Sequence, residues 1–143
     1  MLGMTLLASL GAISQAAAQS DDHLIRLLST KSCRKCELAD MDLMHTDLRD
    51  ADLEKSSLRR TNLSQANLDG ANLRNTDLSF TSLQGASLRG TDLRGSRLYG
   101  TDLRHADLSG AQFDPDALEE SHWQGAQGIS SGIRSHAALH NAG

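Results

Sequence analysis

The chain has 143 residues, enough for one domain, and a formal charge of −4, too mild for a nucleic-acid-binding surface or an extreme polyanion. Aromatic residues make up 3% of it and proline occurs once, at Pro115, whereas a conventional globular core uses more large rings than that. Repeat architectures escape the requirement, and an internal period is present.

The first twenty residues, MLGMTLLASLGAISQAAAQS, carry no charge. An apolar run from Leu2 to Ile13 leads into small residues, and Ala16-Ala17-Ala18 fits the A-x-A cleavage pattern, so 1–18 reads as a secretory signal peptide cut after Ala18. The run is shorter than the roughly 20 apolar residues of a spanning helix. No Lys or Arg precedes it, which departs from the ordinary leader. The alternative is an apolar tail that is disordered or lies on a membrane surface.

Residues 19–35 read as an N-terminal cap. Asp21 and Asp22 suit the start of a short helix, and Leu24, Ile25, Leu27 and Leu28 form an apolar stripe that would cover the beginning of the next segment of chain. Cys33 and Cys36 admit three readings: a redox pair, half a zinc site or a structural disulfide. A redox C-x-x-C sits before a helix in a βαβ setting. Zinc needs two further ligands, and only His45 is near. Haem attachment needs a His after the second Cys, where Glu37 stands. In an exported chain the compartment favours a disulfide that pins the cap.

From Leu38 to Leu108 every fifth residue is leucine, and Phe113, Leu118 and Trp123 continue the frame. In a helix, five residues turn about 500°, which scatters the leucines round the cylinder. In a straight strand they would alternate between faces. The chain must therefore turn a corner once per five residues, always in the same sense. From Leu48 on, a small residue stands two before each leucine of this run, such as Ala51, Ser56, Thr61 or Ala66, on the same face of an extended segment. Large and small inward positions alternate, which allows close packing. Gly70, Gly85, Gly90, Gly95, Gly100 and Gly110 occupy the last position of the unit, where a corner wants permissive backbone. A closed solenoid stacked by β-ladders buries every leucine, each contributing roughly 1.5–3 kcal/mol.

The units TNLSQ, ANLDG, ANLRN, TDLRG and ADLSG, at 61, 66, 71, 91 and 106, resemble the A-(D/N)-L-x-x motif of the pentapeptide-repeat family over residues 36 to 125. That resemblance implies an all-β fold, a right-handed quadrilateral β-helix with four units per coil and about four coils, a rod on the order of 20 Å long. The lead-in LLSTKSCRKCEL is similar to that of exported family members from cyanobacteria and chloroplast lumens, which implies the periplasm or the thylakoid lumen. The family also has a quinolone-resistance branch that binds DNA gyrase by imitating duplex DNA. Such mimicry needs contiguous negative charge, and here Arg49, Arg74, Arg89, Arg94 and Arg104 interrupt it.

The frame frays at DPDALEESHWQGAQGI: Pro115 removes a ladder donor, Asp116 takes a small residue's place, and Trp123 reads as a lid on the last coil. The tail 126–143 reads as flexible. His136 and His140 stand four apart, but no carboxylate or Cys accompanies them.

Aspartates recur in the slot before the leucine, from Asp42 to Asp107, which points to turn and ladder hydrogen bonding and not to acid–base catalysis. No catalytic constellation, cofactor motif or metal set is legible, so the expected role is a non-catalytic structural or protein-interaction module with no nucleic-acid partner and no membrane span after cleavage. Residues twenty apart would stack, which groups the sides centred on Leu58, Leu78 and Leu98. That face carries Phe80 and Tyr99, the outward aromatics, with Arg59, Arg60 and Arg97. Aromatics with arginine are the composition of binding hot spots, so these five residues form the candidate patch for a protein partner or a second copy. The plainer alternative is that the two rings merely pack on each other.

Overall fold

The computed structural model describes residues 18–130. The expected leader up to residue 17 and the tail from residue 131, His136 and His140 included, lie outside the described residues.

The stretch 71–75 shows how the unit is held. The Ala71 N–H donates to the Leu68 carbonyl (3.0 Å) and closes a turn. The Asn72 N–H donates to Ala51 one coil back (2.8 Å), and those of Leu73 and Asn75 donate forward to Asp92 (2.9 Å) and Arg94 (3.0 Å). The remaining amide, Arg74 N–H, donates to Asn72 Oδ1 at 3.2 Å. Every backbone donor of the unit is thereby paired, as a chain with this little core depth requires. The Asp/Asn slot exists for that last bond: Asp47, Asp52, Asn62, Asn67, Asp77, Asp92, Asp102 and Asp107 each cap the N–H two residues on.

Every fifth residue from Lys35 to Gly110 has positive φ, and from His45 on it holds the third position of a turn closed onto the leucine carbonyl. That is the type II arrangement. Glycine is one solution at this corner, but Asp50, Lys55, Gln65 and Phe80 adopt it too. Each unit supplies one bridged residue, and bridges join i to i + 20 in parallel, as Ser32 to Asp52 and Asp52 to Asn72. Four such series, starting at Ser32, Glu37, Asp42 and Asp47, make a four-sided coil of twenty residues. Because the turn consumes two residues in five, the ladder consists of isolated bridges, and no continuous strand forms among the described residues. The all-β expectation holds only in that form.

The leucines at centre positions from Leu38 to Leu108 are at most 2% exposed. Between them, buried threonines satisfy their hydroxyls on the coil below: Thr61 donates to the Leu38 carbonyl (2.7 Å), Thr76 to Leu53 (2.9 Å) and Thr101 to Leu78 (2.8 Å). The small column thus fills space and adds rungs inside the coil.

A helix, α1, spans 18–30 and covers the first coil. It is already formed three residues before Asp21, so Asp21 and Asp22 lie within it and do not start it. Ala18 and Gln19 are good helix formers, which lets α1 run ahead of the two aspartates. Leu27 is buried and Leu24 packs on the core, whereas Ile25 and Leu28 face outward at 63% and 49% exposure. The coil presents a narrower surface than the four-residue stripe. Lys31 ends α1 with a left-handed backbone, φ 58°. The Glu37 N–H donates to His23 Nδ1 at 3.1 Å and ties helix to coil. The first bridge is at Ser32, four residues before the expected boundary.

At the far end the next left-handed corner would fall on Pro115, whose ring holds φ near −65°. Residues 114–120 fold instead into short turns, with Ala117 N–H on Asp114 (3.0 Å) and Glu119 N–H on Asp116 (3.1 Å). Trp123 packs half-buried against the core, and Ala126 and Ile129 are buried beyond it. Gln127 still bridges to Asp107, so the stack continues past 125 and Trp123 does not close it. Gly128, φ 79°, stands where a large residue would continue the frame, and Ile129 takes the inward role one residue late.

Candidate docking face

The second side of each coil stacks Ser57, Asp77 and Arg97 in one row, Arg59, Ser79 and Tyr99 in the next, and Arg60, Phe80 and Gly100 at the corner. Phe80 and Tyr99 meet edge to face, ring centroids 5.2 Å apart and planes at 88°. Both stay half-exposed, at 51% and 49%. The Phe80 ring lies over Gly100, where a Cβ would stand 2.7 Å from its Cδ1. Phe80 itself holds φ 60°, a backbone that a bulky side chain adopts at a cost of about 1–2 kcal/mol.

Arg59 Nη1 stands 3.5 Å from Asp77 Oδ2. Burial pushes the Asp77 carboxyl up, but hydrogen bonds from the Ser79 hydroxyl and N–H and the charges of Arg59 and Arg97 outweigh it, so the group lies below the usual carboxylate range. Arg59, Ser79, Phe80, Arg97, Tyr99 and Glu120 line one shallow depression of about 350 Å³.

Four of the five expected patch residues therefore meet. Arg60 does not join them. Its guanidinium turns back one coil to grip Asp40 with two bonds of 2.6 and 2.7 Å, raising its own pKa and lowering that of Asp40. The pairing was readable: Asp40 and Arg60 are opposite charges twenty residues apart. Glu120 escaped the sequence reading because it enters the face only through the rearrangement at Pro115.

Elsewhere several outward carboxylates are engaged in structure. Arg94 grips Asp92 (2.9 and 2.6 Å) and Arg104 grips Asp102 (2.9 and 2.6 Å) across two residues, hydrogen bonds that hold both carboxyls low. Such exposed pairs add little stability each. Among the described residues no cluster of His, Cys, Asp and Glu could hold a metal ion, His45 included, and no helix is long and apolar enough to cross a membrane. Cys33 and Cys36 occupy the first centre and the first small position, with sulfurs at bonding distance, 2.02 Å.

Comparison with known proteins agrees with this geometry. HetL, a pentapeptide repeat protein involved in heterocyst differentiation regulation from the cyanobacterium Nostoc sp. strain PCC 7120, is 29% identical; 67% of this chain and 46% of HetL are covered, at a TM-score of 0.51. The chain thus spans about half of HetL's length. A pentapeptide repeat protein of the Arabidopsis thaliana thylakoid lumen is 22% identical over 78% of each chain, with a TM-score of 0.59, a likeness of fold. Another Nostoc pentapeptide repeat protein is 35% identical over 73% of this chain and 91% of its own, with a TM-score of 0.41. No curated protein matches in sequence. The profile of pentapeptide repeats matches in eight copies, over 32–60, 42–79, 56–95 and 81–114. These matches run through more than half of the 143 residues, and the chain belongs to the pentapeptide-repeat family.

Proposed function

We propose that this chain is an exported, non-catalytic module, a right-handed quadrilateral β-helix that docks a protein partner or a second copy through the face carrying Arg59, Phe80, Arg97 and Tyr99. The observation that carries the reading is the pair of half-exposed rings in edge contact, lining one hollow with Arg59 and Arg97. Rings and arginines gathered round one hollow are the groups on which interface energy concentrates. The four-sided coil and the membership of the family support the β-helix. A regulatory relative, HetL, built of the same repeat supports binding over catalysis. The apolar run from Leu2 to Ile13 and the A-x-A pattern at Ala16–Ala18 support export, and the bonded Cys33–Cys36 pair then serves as a clasp on the cap in an oxidising periplasm or thylakoid lumen. Duplex-DNA mimicry finds less support, because Arg34–Glu54, Arg59–Asp77 and Arg89–Asp107 pairs break up the carboxylates.

The test is a Phe80→Ser, Tyr99→Ser double variant compared with wild type by affinity capture and light scattering, alongside fractionation of cells carrying a C-terminal tag. Loss of specific partners or of self-association, with melting temperature retained, supports the face. Unchanged partners and unchanged oligomeric state in a folded variant refute it.

A further inference from the structure

Among the described residues the hydrogen-bond ladder between coils has one gap. From Cys33 to Leu108 each centre residue donates its N–H to the coil ahead, as Leu93 does to Gln112 (2.7 Å) and Leu103 to His122 (2.6 Å), but Leu98 has no such bond. The return series is broken at the same place. Gln112 donates to Thr91 (2.9 Å) and His122 to Thr101 (2.9 Å), whereas Ala117, which should donate to Ser96, bonds Asp114 instead. Bridges Asp92–Gln112 and Asp102–His122 flank a missing Arg97–Ala117 bridge.

The cause is Pro115. Without a left-handed corner there, residues 114–120 contract into turns and cannot run alongside 96–98. The chain compensates at both ends of the gap. Gly95 N–H takes the Asp114 carboxylate (2.7 Å) in place of a carbonyl, and Gly100 N–H reaches Glu120 (2.7 Å), twenty residues on instead of nineteen. Between them a slot of about 420 Å³ remains, with Ser96, Leu98 and Tyr99 on one lip and Asp116, Ala117 and Glu120 on the other. It opens beside Phe80 and Arg59, since Arg97, Tyr99 and Glu120 line both hollows.

We infer that this slot binds an extended peptide segment of a partner protein, which supplies the missing rung. The proposal rests on the reading of this side as a docking face and adds the chemistry of what docks there. One peptide residue takes the place of residue 117: its carbonyl accepts the Leu98 N–H and its own N–H donates to the Ser96 carbonyl, parallel to 96–98. In the open slot only water meets this donor and acceptor, and strand addition replaces it at both at once. The slot also sets the side chains. Small residues fit either side of the paired one, against Leu98 and Ala117. Two positions out in each direction, on the strand's outward side, the peptide meets the slot's acidic ends. There Asp116 and Glu120 have no cationic partner among the described residues, so lysine or arginine suits both places.

The probe is Ac-Lys-Ala-Ser-Ala-Lys-NH2, titrated into the full chain while backbone amide exchange is followed by NMR. In the free protein the Leu98 amide should exchange on the order of tenfold or more faster than those of Leu93 and Leu103, and the peptide should slow it at least as much. An analogue N-methylated at serine, and one with glutamate for both lysines, should leave Leu98 unprotected. Leu98 as slow as its neighbours in the free chain, or no protection by the peptide, overturns the slot. Shifts at Phe80 and Tyr99 without protection of Leu98 overturn it too but leave the docking face standing. Protection of Leu98 that vanishes when 131–143 are removed, with Leu93 and Leu103 still slow, assigns the slot to the chain's own tail and overturns the partner peptide.

Discussion

Leu78→Ala is the most informative single change to the core. Leu78 is fully buried, and its neighbours along the column, Leu58 and Leu98, lie one coil to either side. Around it the backbone is held at each donor: Leu78 N–H by Arg97 (2.9 Å), Phe80 N–H by Tyr99 (2.8 Å) and Thr81 N–H by Leu78 itself (3.0 Å). Leu→Ala in a core costs about 2–5 kcal/mol, and the cost rises with how little the site can collapse. A ladder this fully bonded relaxes poorly, which places the change at about 3–5 kcal/mol. With an unfolding entropy of about 2.1 cal/mol/K per residue over the described chain, each kcal/mol corresponds to about 4 °C. The melting temperature, followed by circular dichroism, should therefore fall by about 12–20 °C. Arg74→Ala, at an exposed position, should move it by no more than about 2 °C. Comparable shifts for the two variants would refute the five-residue frame.

Gly100→Ala should destabilise more than Gly90→Ala. Both hold φ 65°, but a Cβ at 100 meets the Phe80 ring at 2.7 Å while one at 90 meets nothing within 4 Å, so the difference in chemical denaturation isolates the ring's bed from the left-handed strain of about 1–2 kcal/mol. The stability contributed by the lowered aspartates should be complete down to about pH 5 and be lost in acid. Asp77, Asp92 and Asp102 are lowered in the fold, so their contribution is complete above the unfolded value near 3.9 and is lost as pH falls through the folded ones. Asp102→Asn, which can still cap the Arg104 N–H, should make that acid fall shallower in urea titrations at successive pH values. Protein from an oxidising compartment should resist thiol labelling until reduced, and Cys33→Ser should speed amide exchange in α1 while leaving the leucines from Leu63 to Leu93 slow; two freely labelled thiols would contradict the clasp.

The repeat was legible because each inward residue has one job, repeated on an invariant frame. The leucine column, the small column and the Asp/Asn slot all stand where their spacing implied. Left-handed backbone at Lys55, Gln65 and Phe80 was not legible from residue type, since the corner is imposed by the ladder on both sides and overrides local preference. The slot was hidden for a different reason. Pro115 and Asp116 mark the fraying in the sequence, but Leu118 keeps the frame and is fully buried, so the pattern does not show that the bonds lost are those of the Ala117 backbone. On the docking face, counting in twenties stacks Tyr99 on Ser79 and Gly100 on Phe80, which brings the two rings onto adjacent rungs of one side. Arg60 was misplaced because its partner Asp40 stands one rung below the three that define the patch.

The most direct test of the docking face is site-specific photo-crosslinking in intact cells. A benzophenone side chain replaces Tyr99 in one variant and, as a control, Arg89, an exposed residue of another side, in a second. A discrete adduct from position 99 that is absent from position 89 is the predicted result. Equal adducts from both sides, or none from 99 in a folded, correctly localised protein, would contradict it.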